Sequence, residues 1–302
     1  MSTSDQLLDE VEDALAPLAA PGARWVSAAQ AAAIAQVDHF RNSEYRKRDV
    51  NELIDSYVHD FVEPLLRLRE RPSRVADIGA GYGWLAFAFA LRTDVRVVVM
   101  EVDAGRLRAA RHIAAILGVS DRMEWLTASI AGIPLPDQSV DAAYCIEVIE
   151  HTGVDPAFVN ELARITADVL VITTPNKLFP VIGHDTELPF CHWLPLPMRD
   201  VYARAFGRSR RQHNNFFWTP QRLFGALPQF RRVSTFLQFE DYAYYRQVRA
   251  HLGGRGGLTR HCKAAYYALA ASLGRHAVYM MPNLATTFRR ADGGRQPTGR
   301  DW

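Results

Sequence analysis

The sequence predicts an α/β fold in which strands alternate with helices behind an N-terminal helical cap, and three observations carry that prediction. The run Val75-Ala76-Asp77-Ile78 breaks into glycines at 79, 81 and 83 and resumes as Trp84-Leu85-Ala86-Phe87, the pattern of a buried strand turning tightly into a helix. Downstream, apolar and β-branched runs recur at 95–100, 123–127, 140–145 and 169–173, while Leu107, Ala110, Ile113, Ala114 and Leu117 trace a helix closed by Gly118. Upstream, residues 4–68 read as helical. Leu7, Leu8, Val11, Leu15 and Leu18 recur at helical spacing, and so do Val50, Leu53, Ile54, Tyr57, Val58, Phe61, Val62 and Leu65.

The composition sets bounds on function. With 302 residues, 48% of them hydrophobic, the chain can bury a large core as one elaborated domain or two small ones. A formal charge of +2 gives no global sign of nucleic acid. Cys145, Cys191 and Cys262 are odd in number and widely spaced, which excludes a simple disulfide framework or a CxxC zinc site and fits a reducing compartment. The acidic N-terminus lacks a basic flank and an apolar h-region, and no apolar run reaches the ~18 residues of a spanning helix. A cytoplasmic protein is expected.

Taken in order, Tyr45, Arg46 and Arg48 precede the last cap helix, where they either reach a substrate or are simply solvated. The glycines of the Asp77–Gly83 loop permit backbone angles closed to other residues and let a ligand approach the main chain. A dinucleotide fingerprint would place its third glycine at position 84, which is Trp84. Asp77 suits a cationic ligand and would repel a pyrophosphate. Glu101 closes the second strand, ~20 residues past the glycines, where an acid accepts hydrogen bonds from both ribose hydroxyls. Asp103 suits a helix cap better.

The ordered set of motifs resembles the class I S-adenosylmethionine (SAM) methyltransferases over residues 74–176. Asp77 with Gly79, Gly81 and Gly83 resembles their motif I. Ser129 stands where the acid contacting adenine usually lies, within a stretch ending in Leu135-Pro136 and Asp141. Glu147-Val148-Ile149-Glu150-His151 resembles the branch holding ubiquinone-biosynthesis O-methyltransferases and small-RNA 2′-O-methyltransferases, and Thr174-Pro175-Asn176 also occurs there. The resemblance implies a Rossmann-like seven-stranded sheet. It assigns the cofactor to Asp77, Gly79, Gly81, Gly83, Glu101, Val102, Ser129, Ile130 and Glu147. In some members of that branch the positions of Glu147, Glu150 and His151 hold a divalent metal, so Mg²⁺ or a similar ion is an expectation, with His184 as a fourth ligand. The alternative use of that run is to line the methionine end of the cofactor and pack the following helix.

The expected organisation is a helical cap at 1–70, a SAM-binding core at 71–176, a lid insertion after strand five at 177–215, a C-terminal part of the core with an inserted helix at 216–290, and a disordered tail at 291–302. A connection as long as 177–215 is usually a lid or a binding element. It combines Phe179, Phe190, Trp193 and Phe206 with His184, Asp185, His192 and Arg199, and His184, Asp185, His192 and Trp193 are the expected substrate contacts. After it, a helix starting at Thr219-Pro220, a strand at 231–239, an apolar helix at 262–273 and a final strand within 277–290 are predicted.

A histidine titrates near neutrality, so His151 and His184 are the candidate bases for a hydroxyl acceptor. The favoured function is methylation of a small-molecule or sugar hydroxyl of a glycan or natural product. An RNA methyltransferase and a non-catalytic SAM-binding protein are the alternatives. The lack of an added RNA module weighs against the former, and the intact loop and Glu101 say nothing about chemistry for the latter. The stretch 264–271, flanked by Arg260, Lys263 and Arg275, either packs in the core or touches a lipid surface.

Overall fold

The computed structural model describes residues 25–69, 71–182, 185–208, 215–234, 265–266, 269 and 272–291. Helix α1 (Ala28–Ile34) starts at a capping box in which Ser27 and Gln30 satisfy each other's backbone N–H groups. Two 3-10 turns, Phe40–Asn42 and Glu44–Lys47, lead to α2 (Val50–Tyr57), whose first N–H groups are accepted by Asp49. This helix runs through a π turn, Val58–Val62, into α3 (Glu63–Leu68). Val50, Leu53, Ile54, Val58, Phe61, Val62 and Leu65 are all buried, as their spacing predicts.

The core then alternates β1 (Arg74–Ile78), α4 (Trp84–Arg92), β2 (Arg96–Glu101), α5 (Ala104–Leu117), β3 (Met123–Thr127), β4 (Val140–Ile146), α6 (Pro156–Ile165) and β5 (Thr166–Thr173). It continues through α7 (Leu196–Ala205), α8 (Pro220–Gly225), β6 (Phe230–Ser234) and β7 (Thr286–Arg290). The sheet has seven strands in the order β3-β2-β1-β4-β5-β7-β6. The first five are parallel, and β7 runs antiparallel to both β5 and β6.

Period-two alternation divides the interior into two cores. Val75, Val97, Val99 and Tyr144 face the cap, α4 and α5, whereas Ala76, Val98, Met100, Ala143 and Cys145 face α6 and α8. The cap helices therefore share a core with the sheet. Tyr144 reinforces the join, since its hydroxyl donates to the carbonyl of Phe61 in the π turn at 3.1 Å. At the far edge, Arg69 donates to Asp168 and Asp141, and Arg289 also donates to Asp168, which ties the end of α3 to the starts of β4 and β5.

Several boundaries differ from the sequence reading. The final strand expected within 277–290 is Thr286–Arg290, preceded by a 3-10 turn at Gly274–Tyr279 and by carbonyls of Val278 and Met281 that accept from the Asn176 side chain. The strand expected at 231–239 is seen as Phe230–Ser234, and 235–239 lie outside the described residues. So do most of the helix expected at 262–273 and of the lipid-contact stretch 264–271, all of the cap before Trp25, and the tail beyond Ala291.

Candidate functional site

Strand order reverses between β1 and β4, so the connections leaving those two strands diverge and open a crevice at the carboxyl edge of the sheet. A cavity of about 980 Å³ occupies it. Asp77, Gly79, Gly81, Glu101, Val102, Ser129, Ile130, Glu147 and His151 all line it.

The glycine loop is built for close approach. The N–H groups of Gly79 and Ala80 both donate to the Met100 carbonyl, which pins the turn to β2. Gly79 has φ +75°, and a Cβ there would sit 2.4 Å from Cγ2 of Val148, so only glycine fits. Gly81 has φ +57° and nothing within 4 Å of where a Cβ would stand. Gly83, at φ +83°, caps α4 and packs over the Phe87 ring, so its role is in the turn.

Two acids meet this loop. Glu101 is buried, with one carboxylate oxygen accepting from Gly81 N at 2.8 Å and the other from Asp103 N at 2.9 Å. Asp103 caps α5, accepting from Gly105 and Arg106. Asp77 is buried as well, and its Oδ2 has no hydrogen-bond partner. Burial pushes its carboxyl up to about 7, the Ala86 N–H opposes this, and the charge of Glu101 adds to it. Beyond Glu101, Val102 leaves 69% of its surface open beside buried Ile130, and Ser129 is exposed with its hydroxyl accepting from Ala131 N.

The end of β4 supplies the other wall. Glu147 takes φ +54°, uncommon for a residue with a side chain, while its N–H donates to both oxygens of Thr173. Glu150 turns inward, is 1% exposed, and accepts from the Thr174 hydroxyl at 3.0 Å. Burial and the neighbouring Glu147 push its carboxyl up to about 9, and the two acids are joined by a hydrogen bond. His151 turns the other way, its Nδ1 3.0 Å from Oδ1 of buried Asn215.

This arrangement does not support the expected metal set. Glu147 and Glu150 are joined to each other by a hydrogen bond, Glu150 also accepts from Thr174, and Nδ1 of His151 is engaged with Asn215. Among the described residues no group of three or more His, Cys, Asp or Glu is arranged to hold a metal.

The expected substrate contacts at 185, 192 and 193 sit apart from the cavity. His192 is buried, with Nε2 3.0 Å from the Lys177 carbonyl, and burial holds its imidazole below the usual histidine range. Trp193 donates to the same carbonyl, and Asp185 is buried. None of these three lines the cavity. His184 lies outside the described residues.

The cap instead contributes His39, Ser43, Glu44, Tyr45 and Tyr57 to the lining, Tyr82 and Arg106 join from the core, and Asn215 joins from the end of the insertion. His39 Nδ1 lies 2.9 Å from the Tyr82 hydroxyl, and Tyr45 meets the Tyr82 ring edge-on. Tyr57 belongs to an apolar helical stripe and so reads as core. Asn215 is isolated in sequence from every motif.

The methyltransferase domain family model matches residues 75–168, the span that carries the glycine loop, Glu101 and the Glu147–His151 turn. Over this span the chain is similar to SAM-dependent methyltransferases. A Mycobacterium tuberculosis protein named "probable S-adenosylmethionine-dependent methyltransferase" is 34% identical to this chain over 118 residues, 38% of this chain and 40% of that protein. An O-methyltransferase of Pyrenophora dematioidea is 30% identical over 105 residues, 34% of this chain and 39% of that protein. The chain thus spans less than half the length of these relatives. The crystal structure of the [4+2]-cyclase SpnF is matched with a TM-score of 0.46 at 15% identity, over 81% of this chain and 84% of that one.

The cavity suits the family's cofactor. A buried carboxylate oxygen without a partner, at Asp77, matches a ligand that carries an ammonium and a sulfonium. The open space over Gly81 leaves room for the ligand against the main chain.

Proposed function

We propose that the chain transfers the methyl group of SAM to a hydroxyl of a small molecule or sugar. The observation that carries this reading is one cavity joining the glycine loop and Glu101 to His151, Asn215 and the cap tyrosines. Bound SAM would supply an electrophilic methyl group, and this chain's residues hold and orient what reacts with it. Gly79, Gly81 and Asp77 take the methionine end, Glu101 the ribose, and Val102 with Ile130 the adenine ring. Ser129 stands at the edge of the adenine slot.

The acceptor lies between the cap and the β4 turn. Tyr45 and Tyr57 offer aromatic faces and hydroxyls suited to a sugar or a phenol. His151 removes the acceptor proton. Because the Asn215 oxygen can only accept, Nδ1 of His151 carries the hydrogen and Nε2 is the basic nitrogen. Asn215 fixes the ring orientation, as the partner of a catalytic imidazole does.

The test incubates the chain with labelled SAM and extract fractions of small molecules, glycolipids and RNA. Label is expected in a small-molecule or glycolipid fraction, unchanged by chelator. His151→Ala is expected to lower the transfer rate by about 10²–10⁴-fold with SAM affinity retained. Asn215→Ala should lower it less and shift the pH profile. Label appearing only in RNA, or a His151→Ala variant as fast as the parent, would refute the assignment.

A further inference from the structure

The lid insertion presents apolar side chains outward. In α7 Ala203 is buried, yet Leu196, Pro197, Met198, Val201 and Ala205 are exposed together with Arg204. A solvent-facing helix surface is ordinarily polar, so this helix is inverted. Phe190 and Trp193 extend the surface. Each is 49% exposed, their ring centroids are 4.8 Å apart, and the Trp193 N–H is already spent on the Lys177 carbonyl. Phe206, 61% exposed, lies at the other end against Tyr202.

The surface is one packed unit. Tyr202 donates to the Pro189 carbonyl and Arg199 to that of Leu194, so α7 and the Phe190–Trp193 turn are held together. A contiguous exposed apolar patch of this kind marks an interaction site. Its charge identifies the partner. Among the described residues of 177–208 the exposed charges are Lys177, Arg204 and Arg208, the last paired with partly exposed Glu187 at 3.6 Å, while Asp185 is buried and Asp200 partly exposed. Cations around an apolar face containing tryptophan and phenylalanine are the chemistry of an anionic lipid surface. No helix among the described residues is long and apolar enough to cross a membrane, so the contact is with the surface.

We propose that α7 together with Phe190 and Trp193 docks this protein on an anionic bilayer. The insertion leaves the sheet at the end of β5, and Phe216 N donates to the Glu150 carbonyl beside the cavity wall, so the docked face and the cavity share one edge of the sheet. Resting on the functional reading above, this surface brings an acceptor anchored in lipid to the cavity.

Flotation of the full chain with phosphatidylcholine vesicles, with and without phosphatidylglycerol, tests the docking without reference to transfer. The chain should float with the anionic vesicles. Met198→Asp/Val201→Asp should reduce the floated fraction at least ~tenfold, equivalent to about 1.4 kcal/mol. Arg204→Glu should weaken binding to the anionic vesicles alone. SAM affinity by calorimetry should be the same in all variants, which shows that they fold. A chain that does not float, or a double variant that floats as well as the parent, overturns the proposal. So does a dimer in light scattering that Val201→Asp dissociates, which would assign the face to a second copy. Flotation without SAM affinity would sink the methyl-transfer reading and leave the docking surface standing.

Discussion

Asp77→Asn should stabilise the cofactor-free fold while weakening SAM binding, with an energetic signature that depends on pH. Asn has almost the same shape and removes the charge. Asp77 is buried at the cavity wall with Oδ2 unpartnered, and its carboxyl stands at about 7 against an ordinary 3.8. A carboxyl raised in the folded state binds more protons there than in the unfolded chain, so stability falls as pH rises from 3.8 to about 7. At about 1.4 kcal/mol for each pH unit, the full cost of ionisation is about 4 kcal/mol, reached above pH 7. The cost already present at pH 5 is about 1.5 kcal/mol by the same relation. Urea unfolding of the cofactor-free parent and variant should therefore show a gap in the variant's favour that widens by about 2.5 kcal/mol between pH 5 and pH 8. Calorimetry should show SAM affinity at least ~tenfold weaker in the variant at pH 8, because the ligand's cation has lost its buried counter-charge. Parallel stability curves would show that Asp77 does not titrate with folding. Unchanged affinity would show that it does not face the cofactor.

The glycine loop and the cap each yield a sharper contrast. Gly79→Ala places a methyl group 2.4 Å from Val148 at positive φ, and should cost about 1–3 kcal/mol in urea unfolding as well as SAM affinity. Gly81→Ala meets open space and should cost less stability while still obstructing the ligand, so a larger loss of stability at 81 than at 79 would contradict the loop geometry. Tyr144→Phe removes the donor to the Phe61 carbonyl and should cost about 1–3 kcal/mol, read as a lower urea midpoint with an unchanged slope. No loss would mean that the hydroxyl does not tie the π turn to the sheet.

Much of the cofactor half was legible because its signals are local. Asp77, the three glycines and Glu101 occupy a strand end, a turn and the next strand end, where backbone geometry constrains residue type within a few positions. The cap stripe from Val50 to Leu65 was legible for the same reason, since one helix face has one period.

The acceptor half required the tertiary structure. Tyr57 carries the periodicity of a core residue, yet it lines the cavity, and its neighbour Tyr45 lies in a 3-10 turn that leaves no periodic trace. His151 was visible in its motif, but its partner Asn215 lies 64 positions away at the end of the insertion. The Glu147–His151 run resembles the metal site of some members of one methyltransferase branch. Glu147 is left-handed, Glu150 turns inward to Thr174, and His151 pairs with Asn215. Local residue chemistry thus determined the sheet, the glycine turn and its two acids, while long-range closure alone decided which cap and insertion side chains reach the cavity. Contacts between residues far apart in the chain depend on how the layers pack, and no short segment encodes that.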